Sequence, residues 1–270
     1  MAESSTRNVA LVTGSAGGIG LGIARALGAA GFAVWLADVQ QELVHQSADE
    51  LKGRGIEAAG LVLDVTKAAS WDAAIAEVSR THGSLDVLVN NAGISTRGTI
   101  ETTDEAMWDQ TLNVNLRGAW LGIKTALPLL RKRKGTIVNI GSTRATEPLP
   151  GLFPYVVSKA GLLGLTRQVA VECMGEGISC NMVAPGWVDT PNERKIQVRY
   201  GRPDFPKGIK NLTTPDDVGA AVVYLSSPAG RKTTGDILYI DSGLHCADDA
   251  GMVYMADHTP AYKQRIDENR

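Results

Sequence analysis

The chain has 270 residues, 44% hydrophobic and 21% charged, with a formal net charge of -2. That is enough apolar material for one large α/β domain with a substantial core. So small a charge argues against a nucleic-acid partner, and no apolar run is long enough to cross a bilayer.

Met1 to Asn8 is short and polar, unlike a secretory signal or a transit peptide, so a cytoplasmic protein is expected. The three cysteines (Cys173, Cys180, Cys246) include no CxxC pair, and the four histidines (His45, His82, His245, His258) are scattered. The expectation is reduced, mostly buried thiols and no metal.

Short β-branched runs alternate with amphipathic stretches. Val9 to Thr13 reads as a strand, Gly18 to Ala30 as a helix, Phe32 to Ala37 as a strand, and Gln41 to Arg54 as a helix. Ala58 to Leu63 and Leu85 to Asn90 read as strands flanking a helix at Trp71 to His82. A long helical region follows from about Met107 to Arg133. Then come a strand at Thr136 to Ile140, a helix at Pro154 to Met174 and a strand at Ile178 to Val183. Pro215 to Leu225 reads as a helix and Ile237 to Asp241 as the last strand. The strands are nearly all apolar, as strands covered by helices on both faces must be. The predicted fold is a single-domain, Rossmann-like, doubly wound parallel sheet over 1–243, with its ligand crevice at the carboxyl ends of the strands. A polar, basic segment, Pro191 to Thr214, lacks clear periodicity and is placed as a substrate lid. The extension 244–270 carries Met252, Tyr254, Met255 and Tyr262, so docking rather than free movement is expected of it.

The first strand ends in Thr13-Gly14-Ser15-Ala16-Gly17-Gly18-Ile19-Gly20. Glycines permit a tight turn and close approach to a pyrophosphate, and the following helix aims its first amides at the anion. Gly14, Ser15, Gly18, Ile19 and Gly20 are therefore candidate cofactor residues. Asp38 ends the second strand, where a carboxylate accepts hydrogen bonds from both adenosine ribose hydroxyls and repels a 2′-phosphate. With Val39 beside it and serine at position 15, no neighbouring cation favours NADP, so NAD is expected. Asp64-Val65 and Asn90-Asn91-Ala92-Gly93 end the third and fourth strands and are placed beside the same cofactor.

Tyr155 and Lys159 lie four apart on one predicted helix face, with Pro154 at its start. A cation within a few ångströms lowers a phenol by roughly 1–3 pKa units, making Tyr155 the expected general base in oxidation and acid in reduction. Ser142 follows the fifth strand and is placed on the substrate oxygen. Asn115 is placed to hold a water beside Lys159.

These motifs resemble the classical short-chain dehydrogenases/reductases over roughly Arg7 to Gly243. The resemblance rests on TGxxxGxG at Thr13 to Gly20, Asp64, NNAG at 90–93, Asn115, Ser142, YxxxK at 155–159, and Pro185-Gly186 with Thr190. It implies a Ser142–Tyr155–Lys159–Asn115 catalytic tetrad, with Lys159 also binding the nicotinamide ribose. It places Val188 and Thr190 on the carboxamide and Pro185-Gly186 against the ring. It further implies a homo-oligomer, a tetramer more than a dimer. Asp241-Ser242-Gly243 stands where the family often has a double glycine, leaving the route of the C-terminus open.

Substrate signals are fewer. Arg97 follows the NNAG turn, Arg144 follows Ser142, and Arg199 belongs to the basic lid, so a polar and possibly anionic small molecule is expected. Trp187 is placed as a wall of its pocket or in the core. Two alternatives stand beside this reading: an NADPH-dependent 3-oxoacyl-type ketoreductase, and a catalytically silent NAD-binding scaffold.

Overall fold

The computed structural model describes residues 7–199 and 212–246. Seven strands form one parallel sheet: β1 (Val9–Thr13), β2 (Ala33–Asp38), β3 (Ala58–Val62), β4 (Val87–Asn90), β5 (Thr136–Ile140), β6 (Ser179–Pro185) and β7 (Ile237–Ile240). Their order is β3-β2-β1-β4-β5-β6-β7. The helices are α1 (Gly18–Ala29), α2 (Gln41–Gly53), α3 (Ala68–His82), α4 (Glu105–Leu112), α5 (Gly118–Arg133), α6 (Phe153–Cys173), α7 (Pro191–Arg199) and α8 (Pro215–Ser226).

The strands are apolar at successive positions because each face meets a different core. On β1, Leu11 packs with Trp71, Leu85 and Leu130 on one side. Ala10 and Val12 pack with Ile23, Leu27 and Val218 on the other. In register, Leu11 sits between Trp35 of β2 and Leu88 of β4. The strand order reverses between β1 and β4, so connections leave them in opposite directions and open a crevice beyond their carboxyl ends.

The expected helix from Met107 to Arg133 is interrupted. α4 starts behind Asp104, whose carboxylate accepts from the Met107 amide at 2.7 Å. Asn113–Arg117 then forms one π turn, in which the Gly118 amide donates to the Asn113 carbonyl, before α5 begins. A π turn inserts a residue without breaking the helical run, so the apolar pattern carries no sign of it.

The lid reading changes as well. Pro191–Arg199 is helix α7 rather than loop. Thr190 starts it, its Oγ1 accepting from the Glu193 amide at 3.1 Å, with Pro191 at the first helical position. The expected lid residues Arg202, Asp204, Lys207 and Lys210, and the tail beyond Cys246, lie outside the described residues. Among the described residues no helix is long and apolar enough to cross a membrane.

Candidate active site

The glycine turn and the NNAG turn are packed together. Gly14 and Gly18 have φ of 63° and 55°, in the left-handed region. A Cβ on Gly14 would lie 2.8 Å from Ala92 Cα, and one on Gly20 would lie 2.2 Å from the Gly14 carbonyl oxygen. Thr13 fastens the two turns: its Oγ1 accepts from the Asn91 and Ala92 amides at 3.0 Å. Asn91 Nδ2 donates back to the Thr13 and Gly14 carbonyls at 2.8 and 2.9 Å. Thr13 was missed as a site-building residue; a hydroxyl at a strand end beside a glycine turn was its available signal. Gly20→Ala is expected to weaken nicotinamide-cofactor binding by more than about tenfold, because its Cβ meets backbone. Fluorescence titration checks this, and native affinity would show that the turn tolerates the displacement.

A crevice of about 990 Å³ runs along these turns. Of the candidate cofactor residues, Gly14, Gly18, Ile19, Gly20, Asp38, Asp64, Val65, Asn91, Gly93, Tyr155, Pro185, Gly186, Val188 and Thr190 line it. Asp38 accepts from the Ala16 and Gln40 amides at 3.1 Å each. Asp64 accepts from the Thr66 hydroxyl and amide at 2.7 and 2.9 Å. That hydroxyl is the main cause holding its carboxyl below the usual range.

Ser15 is a correction. Its side chain is fully buried, donates to the Val12 carbonyl at 2.8 Å and accepts from the Ala37 amide at 2.9 Å. It ties β1 to β2 rather than facing the crevice. The positions that flank Asp38 in the lining are Ala16, Gly17, Val39 and Gln40.

Ser142 and Tyr155 stand where this crevice meets a second pocket of about 270 Å³. Ser142 Oγ accepts from the Arg144 amide at 3.2 Å. A hydroxyl engaged this way as acceptor keeps its own proton to donate. Lys159, 5% exposed, donates from Nζ to the Ile140 carbonyl at 2.8 Å. Its Nζ lies 5.7 Å from the Tyr155 ring centroid.

Tyr155 is not acidified by Lys159 as expected. Burial raises the phenol above its ordinary value; a hydrogen bond with Ser142 and the charge of Arg144 oppose this, and Glu193 adds to it. Burial also pulls Lys159 down, to about 8.

Asn115 sits in the π turn beside this cluster. It is 2% exposed, and its side-chain amide is already committed. Oδ1 accepts from the Ile94 amide at 2.8 Å, while Nδ2 donates to the Ile94 carbonyl and to Ser158 Oγ, both at 2.9 Å. It thus fixes the loop segment at Ile94 that follows NNAG. Ser158, overlooked in the sequence, donates in turn to the Tyr155 carbonyl at 2.7 Å. Its signal was a small hydroxyl residue directly before Lys159.

The second pocket brings together Arg97, Arg144 and Trp187, so Trp187 is a pocket wall rather than core. Leu149, Leu152, Glu193, Ile196 and Leu244 complete much of its lining and carried no sequence signal. Arg199 is exposed at the end of α7 and lines neither cavity. Cys173 and Cys180 are buried and Cys246 is exposed, in line with the expectation of mostly buried thiols.

The residues present fit a nicotinamide dinucleotide on three grounds: glycines where a Cβ would fill the cradle, an α1 N-terminus with no side-chain cap, and a carboxylate at the end of β2. Comparisons with known proteins agree. A family described as enoyl-(acyl carrier protein) reductase matches residues 14–245. 2-(S)-Hydroxypropyl-CoM dehydrogenase 3 of Xanthobacter autotrophicus is 37% identical over 254 residues, covering 90% of this chain and 99% of its own. Dehydrogenase/reductase SDR family member 4 of Homo sapiens is 35% identical over 240 residues, covering 87% and 86%. A variant of the actinorhodin polyketide ketoreductase, solved with NADPH, has a TM-score of 0.85 at 32% identity, covering 92% of this chain and 100% of its own. The chain belongs to the short-chain dehydrogenase/reductase family, oxidoreductases that act on hydroxyl or keto substrates with a nicotinamide cofactor.

Proposed function

We propose that this chain is an NAD-dependent oxidoreductase that interconverts a polar, anionic secondary alcohol and its ketone. The observation that carries the reading is the position of Ser142 and Tyr155 in both the large crevice and the smaller pocket. A substrate oxygen held between the two hydroxyls lies at the junction of cofactor and substrate spaces. When bound, the cofactor supplies or accepts the hydride. Tyr155 takes the alcohol proton in oxidation and returns it to the carbonyl oxygen in reduction. Ser142 donates to the phenol or substrate oxygen, and Lys159 serves the nicotinamide ribose. Asn115 acts as a positioning residue through Ile94 and Ser158. Val188 and Thr190 hold the carboxamide, and Asp64 with Val65 the adenine side.

Asp38 supports NAD over NADP. Its carboxylate faces the crevice, and Ala16, Gly17, Val39 and Gln40 around it carry no charge. A 2′-phosphate there costs several kcal/mol through like-charge repulsion. Asp38→Ala is expected to lower the ratio of NADH to NADPH efficiency by at least about tenfold. An unchanged ratio would assign ribose recognition to another residue. The Xanthobacter autotrophicus relative is named for a hydroxypropyl substrate, a secondary alcohol by its name. Arg97 and Arg144 in the smaller pocket support a carboxylate, sulfonate or phosphate on the substrate. Exposed Trp120 on α5 and Val171 on α6 support the oligomer implied by the family.

The test is a panel of secondary alcohols and ketones in matched neutral and anionic pairs. Anionic members are expected to turn over with lower KM, and Arg97→Ala or Arg144→Ala is expected to erase that difference. Equal efficiency within pairs, unchanged by both substitutions, would remove the anionic reading. Cofactor binding with no turnover across the panel would favour a silent scaffold.

A further inference from the structure

Beyond β7 the chain turns back at Asp241, a carboxylate only 3% exposed. It accepts from the Gly243 and His245 amides at 3.0 and 2.7 Å. It also meets His245 Nδ1, at 2.9 Å from Oδ2 and 3.1 Å from Oδ1. The imidazole lies flat on the Tyr239 ring, with centroids 4.0 Å apart and planes at 10°. Tyr239 is itself held by a 2.9 Å hydrogen bond to Thr146 Oγ1. At the opposite end of the imidazole, Nε2 is 3.1 Å from Cys246 Sγ.

The tautomer follows from these partners. An ionised carboxylate only accepts, so Nδ1 carries the proton it donates to Asp241. In the neutral ring Nε2 is then the acceptor, and the thiol of Cys246 is the donor. We infer that Asp241, His245 and Cys246 form a nucleophilic thiol centre, a modification site for hydroperoxides and soft electrophiles, separate from the hydride chemistry. Asp241 fixes the ring and its tautomer, His245 removes the thiol proton, and exposed Cys246 reacts. With a hydroperoxide, sulfur attacks one peroxide oxygen and the O–O bond breaks. Sulfur is oxidised to a sulfenic acid and the peroxide is reduced. The proton taken by Nε2 passes to the departing oxygen, which leaves as water or an alcohol.

Two contrasts support the assignment. Cys173 and Cys180 are buried, and burial raises both thiols above their ordinary range. Nor is the cluster arranged for a metal. Asp241 and Cys246 sit at opposite nitrogens of the ring, and no group of His, Cys, Asp and Glu among the described residues could hold an ion. The centre adjoins the substrate pocket: Leu244 lines that pocket, and Gly186 packs so closely that a Cβ on it would lie 2.8 Å from Asp241 Cβ.

The test uses the full chain with limiting iodoacetamide, and separately hydrogen peroxide followed by dimedone, read by peptide mass spectrometry. Cys246 is expected to be labelled first, faster than glutathione, with Cys173 and Cys180 reacting only after denaturation. His245→Phe keeps a ring on Tyr239 but removes both nitrogens, and is expected to slow Cys246 by at least about tenfold in each assay. His245→Gln serves as the second variant, and early labelling of Cys173 or Cys180 in either one marks loss of fold. Native Cys246 no faster than glutathione, or a folded variant reacting at the native rate, would overturn the proposal. If both variants lose the fold, the comparison with glutathione decides.

Discussion

Tyr155→Phe is expected to lower kcat by about three orders of magnitude while leaving cofactor affinity within a few-fold of native. The substitution removes one oxygen and keeps the ring that lines both cavities. On the proposed mechanism, what is lost is the group that exchanges a proton with the substrate oxygen, together with the hydrogen bond to Ser142. The pH dependence has a definite sign. Oxidation needs the ionised phenol, so its kcat/KM rises with pH toward the phenol's titration; reduction needs the protonated phenol and falls across the same range. Burial places that titration above the ordinary tyrosine value, so oxidation is expected to rise on the alkaline side of neutrality. The Phe variant is expected to lose this dependence along with the rate. Steady-state kinetics in both directions, paired with a cofactor titration, checks it. A variant that turns over at a near-native rate would remove Tyr155 from the chemistry.

A second large loss is expected for Lys159→Met, of roughly a hundredfold or more in turnover, with weakened cofactor binding. The side chain is 5% exposed and its Nζ is bonded to the Ile140 carbonyl. Burial disfavours its ammonium and brings it down to about 8. An unfolded lysine titrates near 10.4. Between those values the unfolded chain binds more protons than the folded one, so stability rises with pH across that window. The cost of burying the charge is fully present below about 8 and fades toward the unfolded value. Lys159→Met removes this contribution, and its stability is expected to vary less with pH over the same range. Thermal melts of the two proteins from neutral to alkaline pH check the sign. Parallel curves would mean that Lys159 does not change its proton affinity on folding.

The parts of the site that could be read from sequence are those carried by local pattern. The β1 turn needs glycine at positions 14 and 20 because backbone and Asn91 occupy the space of a side chain. Asp38 ends a strand, and Tyr155 and Lys159 share a helix face, whatever the rest of the chain does. The parts that were not legible involve partners distant in sequence. Ser15 turns inward because Ala37 of β2 offers its amide there. Asn115 is taken by Ile94, and the π turn that carries it leaves the apolar pattern unchanged. The protonation of Tyr155 depends on burial and on Glu193 and Arg144, which only folding brings near. Helix α7 has no apolar stripe to announce it; Thr190 starts it, and Asp189 pairs with Arg194 along it.

The most direct measurement follows the hydrogen itself. A secondary alcohol that serves as substrate, deuterated at its carbinol carbon, is incubated with oxidised NAD and the native enzyme. Deuterium is expected on the dihydronicotinamide ring, with slower turnover than for the unlabelled alcohol if hydride transfer limits the rate. Ketone formed while the ring gains no deuterium would contradict hydride transfer at the junction of Ser142 and Tyr155.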